Sequence, residues 1–306
     1  MNTLAARNED KKRVICIGSL NMDMFIGIDR LPDAHEKVRC ETYSMQCGGS
    51  AANTAYWLAR LGCNVMMVGC VGSDYFGQRC VADLENVGAN CRCIHTVESH
   101  LTGAAIIMYS GSSKRIITTG GANRSLLPDM LPLDQFDNKT HVHIATSNRA
   151  VALRALEKAK ERGARTSADV GSTPCLVGLR LLDYCFINSD DLHRWLGNDD
   201  PIARWRELFH SMRVDMPPML IVTRGAKGAL CCSHDTCIEI PTVAVSPVDR
   251  TGGGDAFCAG VIARFVQKHD LVSCIKYGLE LARSVILAVG SRPTTFPIPP
   301  GIYQDD

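Results

Sequence analysis

The stretch VDRTGGGDAFCAGVIARFV, from Val248 to Val266, sets three consecutive glycines and an aspartate directly ahead of a helical apolar pattern. Glycine lets a backbone turn sharply and approach a ligand closely, and the helix that follows presents free N–H groups to an anion. The N–H groups of residues 252 to 255 can therefore converge on the oxygens of one phosphoryl group. Asp255, in the first turn, has two readings. It is an acid drawn to the positive end of the helix, worth ~0.5–1 kcal/mol. Or it is a base that takes a proton from a substrate hydroxyl while the adjacent N–H groups stabilise the transferring phosphoryl group. An aspartate with an ordinary pKa of ~3.9 is ionised at neutral pH, so the second reading needs no special tuning.

The spacing predicts all three glycine clusters at strand-to-helix junctions, the other two being Gly48-Gly49 before SAANTAYWLA and Gly225 with Gly228 in TRGAKGAL. There is no G-x-x-x-x-G-K-[ST], and no G-x-G-x-x-G follows the first apolar run, which disfavours a P-loop enzyme and a dinucleotide-binding dehydrogenase. Cys91 and Cys93 form C-x-C, Cys231 and Cys232 are adjacent, and His141 and His143 share one face of a strand. Without neighbouring ligand spacings the cysteines read as buried, reduced thiols and the histidines as a buried or hydrogen-bonded pair, although a metal or redox site is compatible with both.

Elements able to position these residues follow in alternation. VICIGSL, SAANTAYWLARLG, VMMVGCVG and YFGQRCVADLENVG read as strand, helix, strand, helix, and the pattern resumes from HVHIAT to the last two helical runs. This is the signature of a doubly wound, mostly parallel α/β sheet flanked by helices. Residues 22–47 and 102–119 break it with half-exposed strand patterns, the second centred on a hairpin-like SGSSK, and predict a small added sheet that is either a lid over a cleft or an edge extension. The 306 residues suit one large unit with a small appendage. With 46% hydrophobic residues, 21% charged residues and a net charge of +1, the chain has no field suited to nucleic acid or anionic lipid. The first thirteen residues are polar, and no run approaches the ~20 apolar residues that span a bilayer, so the expected compartment is the cytoplasm. Fifteen cysteines, an odd number in a long chain, fit a reducing compartment.

GSLNMD, GGSAANTAYWLARLG and VGCVGSDYFGQ together resemble the amino-terminal signature of the ribokinase-like, or PfkB, carbohydrate kinases. DRTGGGDAFCAG resembles the carboxy-terminal signature, D-T-x-G-A-G-D, and GANRSL, NSDD and TRGAKGAL fall between them in the family's order. The resemblance covers nearly the whole chain. It implies a kinase domain over 14–300 between a polar tail at 1–13 and a short tail at 301–306, with the two interrupting segments as the lid.

The resemblance further implies that Asp255 is the base and that Gly252, Gly253 and Gly254 form the anion hole. Asn21, Asp23, Gly48, Gly49 and Asn53 match positions that bind sugar hydroxyls; Asn188, Thr223, Gly225 and Gly228 match the nucleotide site. Asp191 falls on the motif that positions Mg²⁺ through water, and Asp249 and Thr251 on oxygen donors of a monovalent-cation site, K⁺ being the cation expected. Four departures stand out: Asp191 replaces a Glu, Gly253 an Ala, Arg250 a small or hydroxyl residue, and YGLELARS lacks the Asn or His often found near adenine. The implied activity is ATP- and Mg²⁺-dependent transfer to a primary hydroxyl of a sugar. A nucleoside acceptor is the alternative, and a non-catalytic ligand-binding regulator the rival from another class. Lids of this family often pair across a homodimer, which requires an apolar exposed face; IGIDRL and AAIIMY permit one.

Overall fold

Val14, Ile15, Cys16 and Ile17 are all fully buried, which a strand achieves only inside a sheet covered on both faces. They form β1 (Arg13–Gly18). The computed structural model describes residues 12–110, 113–171, 176–197, 200–211 and 218–293. Within these the chain continues through β2 (Asn21–Gly27), β3 (Thr42–Gly48), α1 (Ser50–Arg60), β4 (Asn64–Gly72), α2 (Tyr75–Asn86), β5 (Asn90–Val97), β6 (Gly103–Ser110) and β7 (Ser113–Thr119). There follow β8 (Thr140–Ala145), α3 (Arg149–Glu161), β9 (Arg165–Asp169), β10 (Tyr184–Asn188), α4 (Ser189–Leu196), α5 (Pro201–Ser211), β11 (Met219–Thr223), β12 (Ala229–Cys232), β13 (Cys237–Ile240), α6 (Gly253–Val266) and α7 (Leu271–Val285).

Among the described residues nine strands form one sheet in the order β13-β12-β11-β10-β9-β8-β1-β4-β5, parallel except for β12 and β13. Successive residues of β1 point to opposite faces. Val14 and Cys16 pack with Trp57 of α1 and with α6 and α7, whereas Ile15 and Ile17 pack with Val151 and Leu156 of α3 and Trp205 of α5. The doubly wound sheet expected from the alternation is therefore present. Ala51, Ala52, Ala55 and Ala59 keep the packed side of α1 small, and Gly62, at φ 69°, ends the helix in the left-handed turn glycine favours. α6 and α7 approach closely: a Cβ on Gly260 would lie 2.8 Å from the Gly278 Cα.

The interrupting segments form a separate four-stranded sheet, β3-β2-β6-β7. The register places Asp23, Phe25, Ile107, Tyr109 and Lys114 on one face, and Met24, Ile26, Tyr43, Met45, Ile106 and Ile117 on the other. The tip at 111–112 lies outside the described residues.

Two junctions differ from expectation. TRGAKGAL joins two strands, β11 and antiparallel β12, rather than a strand and a helix. Gly225 and Gly228, at φ 56° and 82°, close a single 3-10 turn there, since paired left-handed glycines serve a tight hairpin as well as a helix start. The glycines at 252–254 follow an irregular segment, 241–251, rather than a strand. The cysteines also differ in one pair: Cys232 and Cys237, directly opposed on β12 and β13, form a disulfide. Cys91 and Cys231 are buried free thiols. His141 and His143 both hydrogen-bond the Ser167 hydroxyl, at 2.7 and 2.9 Å. Among the described residues no helix is long and apolar enough to cross a membrane.

Candidate active site

At the start of α6, Gly252 caps the helix in the left-handed conformation, φ 75°, and a Cβ there would lie 2.4 Å from that of Ser291. Gly253 donates its N–H to the Arg250 carbonyl at 3.3 Å, whereas the N–H groups of Gly252, Gly254 and Asp255 have no hydrogen-bond acceptor among the described residues. Three donors thus remain at the positive end of a 14-residue helix, beside Gly254, whose missing side chain leaves open space.

The Asp255 carboxylate accepts from Ser50 Oγ through Oδ1 and from Asn53 Nδ2 through Oδ2, each at 2.8 Å. Both donors lie in the first turn of α1, which Gly49, at φ 92°, swings toward α6. Burial pushes the Asp255 carboxyl above its ordinary value, against the opposing pull of Asn53, Ser50 and Arg292. A raised pKa suits a group that must take up a proton.

Arg292 and Ser50 are two members of this cluster that sequence reasoning did not assign. Arg292 donates through Nε to Asn53 Oδ1 at 2.8 Å, pairs with Asp83 at 2.6 Å and reaches the Gly48 carbonyl at 3.3 Å. Its guanidinium lies 5.2 Å from the ring centroid of Tyr56. Ser291 Oγ also donates to Asn53 Oδ1, at 3.1 Å.

Asp23 is 5% exposed, and its carboxylate accepts no hydrogen bond from any described residue. Gly48 lies against it, and a Cβ there would come within 2.0 Å of its Oδ2. Burial pushes the Asp23 carboxyl up to about 6; Arg292 and Lys114 oppose this, while Asp255 and Asp249 add to it. Asn21 beside it accepts from Asn123 Nδ2 at 2.8 Å. Asn123, within GANRSL, also bonds the Leu20 amide and carbonyl, so that motif fixes the β1–β2 corner.

Asn188 and Thr223 end β10 and β11 as register partners, and the Gly225–Gly228 turn follows Thr223. Asn188 Oδ1 caps α4 by accepting from the Asp191 amide at 2.8 Å, while its Nδ2 donates to Asp191 Oδ2 at 2.6 Å. Asp191 also pairs with the exposed Arg194. A Cβ on Gly171 would lie 2.7 Å from Asp191 Oδ2 and 3.3 Å from Asp169 Oδ1. Asp169, at the carboxyl end of β9, thus faces Asp191 across a space only glycine leaves open. It too was unassigned, although an acid ending a parallel strand is a readable signal.

Both groups of residues lie at the carboxyl edge of the main sheet, the cluster around Asp23 and Asp255 beyond β1 and the second beyond β9, β10 and β11. No hydrogen bond among the described residues joins them. Asp249 and Thr251 belong with the first. Asp249 Oδ1 accepts from the Thr251 N–H at 3.0 Å and hydroxyl at 2.7 Å, and Oδ2 from the Gly290 N–H at 2.9 Å.

With this geometry in place, comparison with known proteins is decisive: the model of the pfkB family carbohydrate kinases matches residues 11–298. The chain belongs to that family. Its members are phosphotransferases acting on an alcohol group, and this pfkB-family protein is a sugar or nucleoside kinase. It is 27% identical over 271 residues to an ATP-dependent ribose-1-phosphate kinase of Halopiger xanaduensis, with 87% of this chain and 88% of that one covered. It is 27% identical over 289 residues to a deoxyribokinase of Salmonella typhimurium, covering 91% and 94%. The crystal structure of the Methanocaldococcus jannaschii nucleoside kinase superposes with a TM-score of 0.78 at 27% identity, covering 94% and 95%.

Proposed function

We propose that this pfkB-family kinase transfers the γ-phosphoryl group of ATP to a primary hydroxyl of a sugar, with Asp255 as the base. The observation that carries this reading is the conjunction, on one helical turn, of a half-buried carboxylate fixed by Ser50 and Asn53 with the N–H groups of Gly252, Gly254 and Asp255, which have no acceptor among the described residues. Asp255 takes the hydroxyl proton as the O–P bond forms, and the N–H groups stabilise the charge on the transferring group. Asp23, deprived of protein donors, grips acceptor hydroxyls together with Asn21 and Asn53 and with the backbone at Gly48 and Gly49.

ATP as the donor agrees with the name of the Halopiger relative, and its site is assigned to Asn188, Thr223, Gly225 and Gly228. Asp169 and Asp191, brought near each other beside Gly171, have the hard oxygen chemistry to hold Mg²⁺ through water, and the ion would neutralise phosphate charge when bound. The small sheet acts as a lid that excludes water from the acceptor. Its outward apolar face, with Tyr43 and Ile117 at 59% and 58% exposure, suits pairing of two copies.

A panel of pentoses, hexoses, ketoses, sugar phosphates and nucleosides with ATP and Mg²⁺, followed by ADP release, tests the reading. Acceptor-dependent ADP release on a sugar supports it; turnover confined to nucleosides replaces the acceptor, and tight binding without turnover replaces the activity.

A further inference from the structure

One charged side chain of the small sheet reaches the turn that precedes the glycines. Lys114, on the same face of that sheet as Asp23, donates Nζ to Thr251 Oγ1 at 2.5 Å and lies 3.6 Å from Asp249 Oδ1. The Tyr109 hydroxyl is 3.4 Å from the same threonine oxygen. Asp249 is 4% exposed, and three N–H or O–H donors already occupy its two oxygens. A buried carboxylate calls for a partner of opposite charge, and Lys114 is the cation within salt-bridge distance of Asp249 among the described residues.

These are the oxygens expected to hold K⁺, and they do not fit it: an ammonium already faces both. A second cation at these oxygens would sit beside the ammonium and be repelled by it.

We propose that Lys114 is the resident cation of this turn, making phosphoryl transfer by this chain independent of potassium and tying the seating of the small sheet to the anion hole. The inference rests on reading residues 249–255 as the catalytic turn. Lys114 is a positioning residue: its charge balances Asp249, and Asp249 in turn holds Thr251 and Gly290 on either side of Gly252, which packs on Ser291.

The test compares thermal melting and ADP release in potassium chloride and in tetramethylammonium chloride at equal ionic strength. The wild-type chain should give the same melting temperature and rate in both. Lys114→Met should lose about tenfold or more in rate in tetramethylammonium, and K⁺ should restore part of that loss and raise its melting temperature saturably. Lys114→Arg should behave as wild type, and so should Arg115→Met, altered on the opposite face. A saturable potassium response of the wild type, or a Lys114→Met variant indifferent to potassium in both measurements, would overturn the proposal. The melting arm needs no turnover, so an unproductive acceptor panel leaves the cation question decided separately.

Discussion

Arg292 donates to Asn53 Oδ1, and because that oxygen is occupied it is the amide nitrogen of Asn53 that faces Asp255. Rotating the amide by half a turn would set oxygen against carboxylate and NH₂ against guanidinium. The orientation follows from the network. Arg292→Lys, which keeps a charge but loses the Nε–H, should lower kcat about tenfold, the equivalent of ~1.4 kcal/mol. Asn53→Ala alone should cost at least as much, and adding it to Arg292→Lys should cost little beyond Asn53→Ala, because both act through one contact. Steady-state kinetics of the two single variants and the double decide this; fully additive losses would refute the shared contact.

Asp255→Asn should retain acceptor binding by calorimetry while kcat falls by about 10²–10⁴. An unchanged kcat would remove Asp255 from the role of base.

The Asp23 carboxyl, pushed up to about 6, makes two pH predictions. The folded protein holds this proton more tightly than the unfolded chain, so ionisation costs stability as pH rises from ~4, and the cost is complete above about 6. Asp23→Asn should therefore stabilise the protein at about pH 8, by on the order of 2 kcal/mol, and not at about pH 4. In the wild type, acceptor kcat/KM should fall as pH drops through about 6, where Asp23 loses the charge that grips hydroxyls. Denaturant melts at the two pH values and a pH–rate profile of both proteins check these expectations.

Gly48→Ala sets a methyl 2.0 Å from Asp23 Oδ2 and must displace the carboxylate or the strand. Acceptor KM should rise by about tenfold or more with ATP KM unchanged. Equal effects on both substrates would place Gly48 outside the acceptor site.

Asp169→Asn and Asp191→Asn should each raise the Mg²⁺ concentration needed for half-maximal rate, by about three- to tenfold, with acceptor KM preserved. A magnesium titration at saturating substrates measures it.

What the sequence made legible was local. The glycines ahead of α6, the carboxylate one residue beyond them and the period of each strand and helix all lie within a few residues of one another, where turn and helix chemistry acts. Arg292 was not legible because its partner Asn53 is 239 residues away, and nothing near SRPTTF marks an arginine as buried. Lys114 was hidden differently: alternation in SKRIITT predicts a strand but not that its first charged side chain turns toward Thr251. TRGAKGAL misled because left-handed glycines at that spacing serve a hairpin and a helix start alike. The arginine at position 250, odd for its place in the motif, contributes its carbonyl to the Gly253 turn, and nothing in the structure explains its side chain.

The contact of Gly260 with Gly278 has a mechanical consequence. Two helices touching backbone to backbone leave no side-chain layer to slide upon, so α6, with the donors at its tip, is braced against α7. On the proposed reading, acceptor and small sheet would come to a phosphoryl group held at the tip of α6, so loosening this glycine pair by one methyl would blur the aim of the anion hole without touching a ligand.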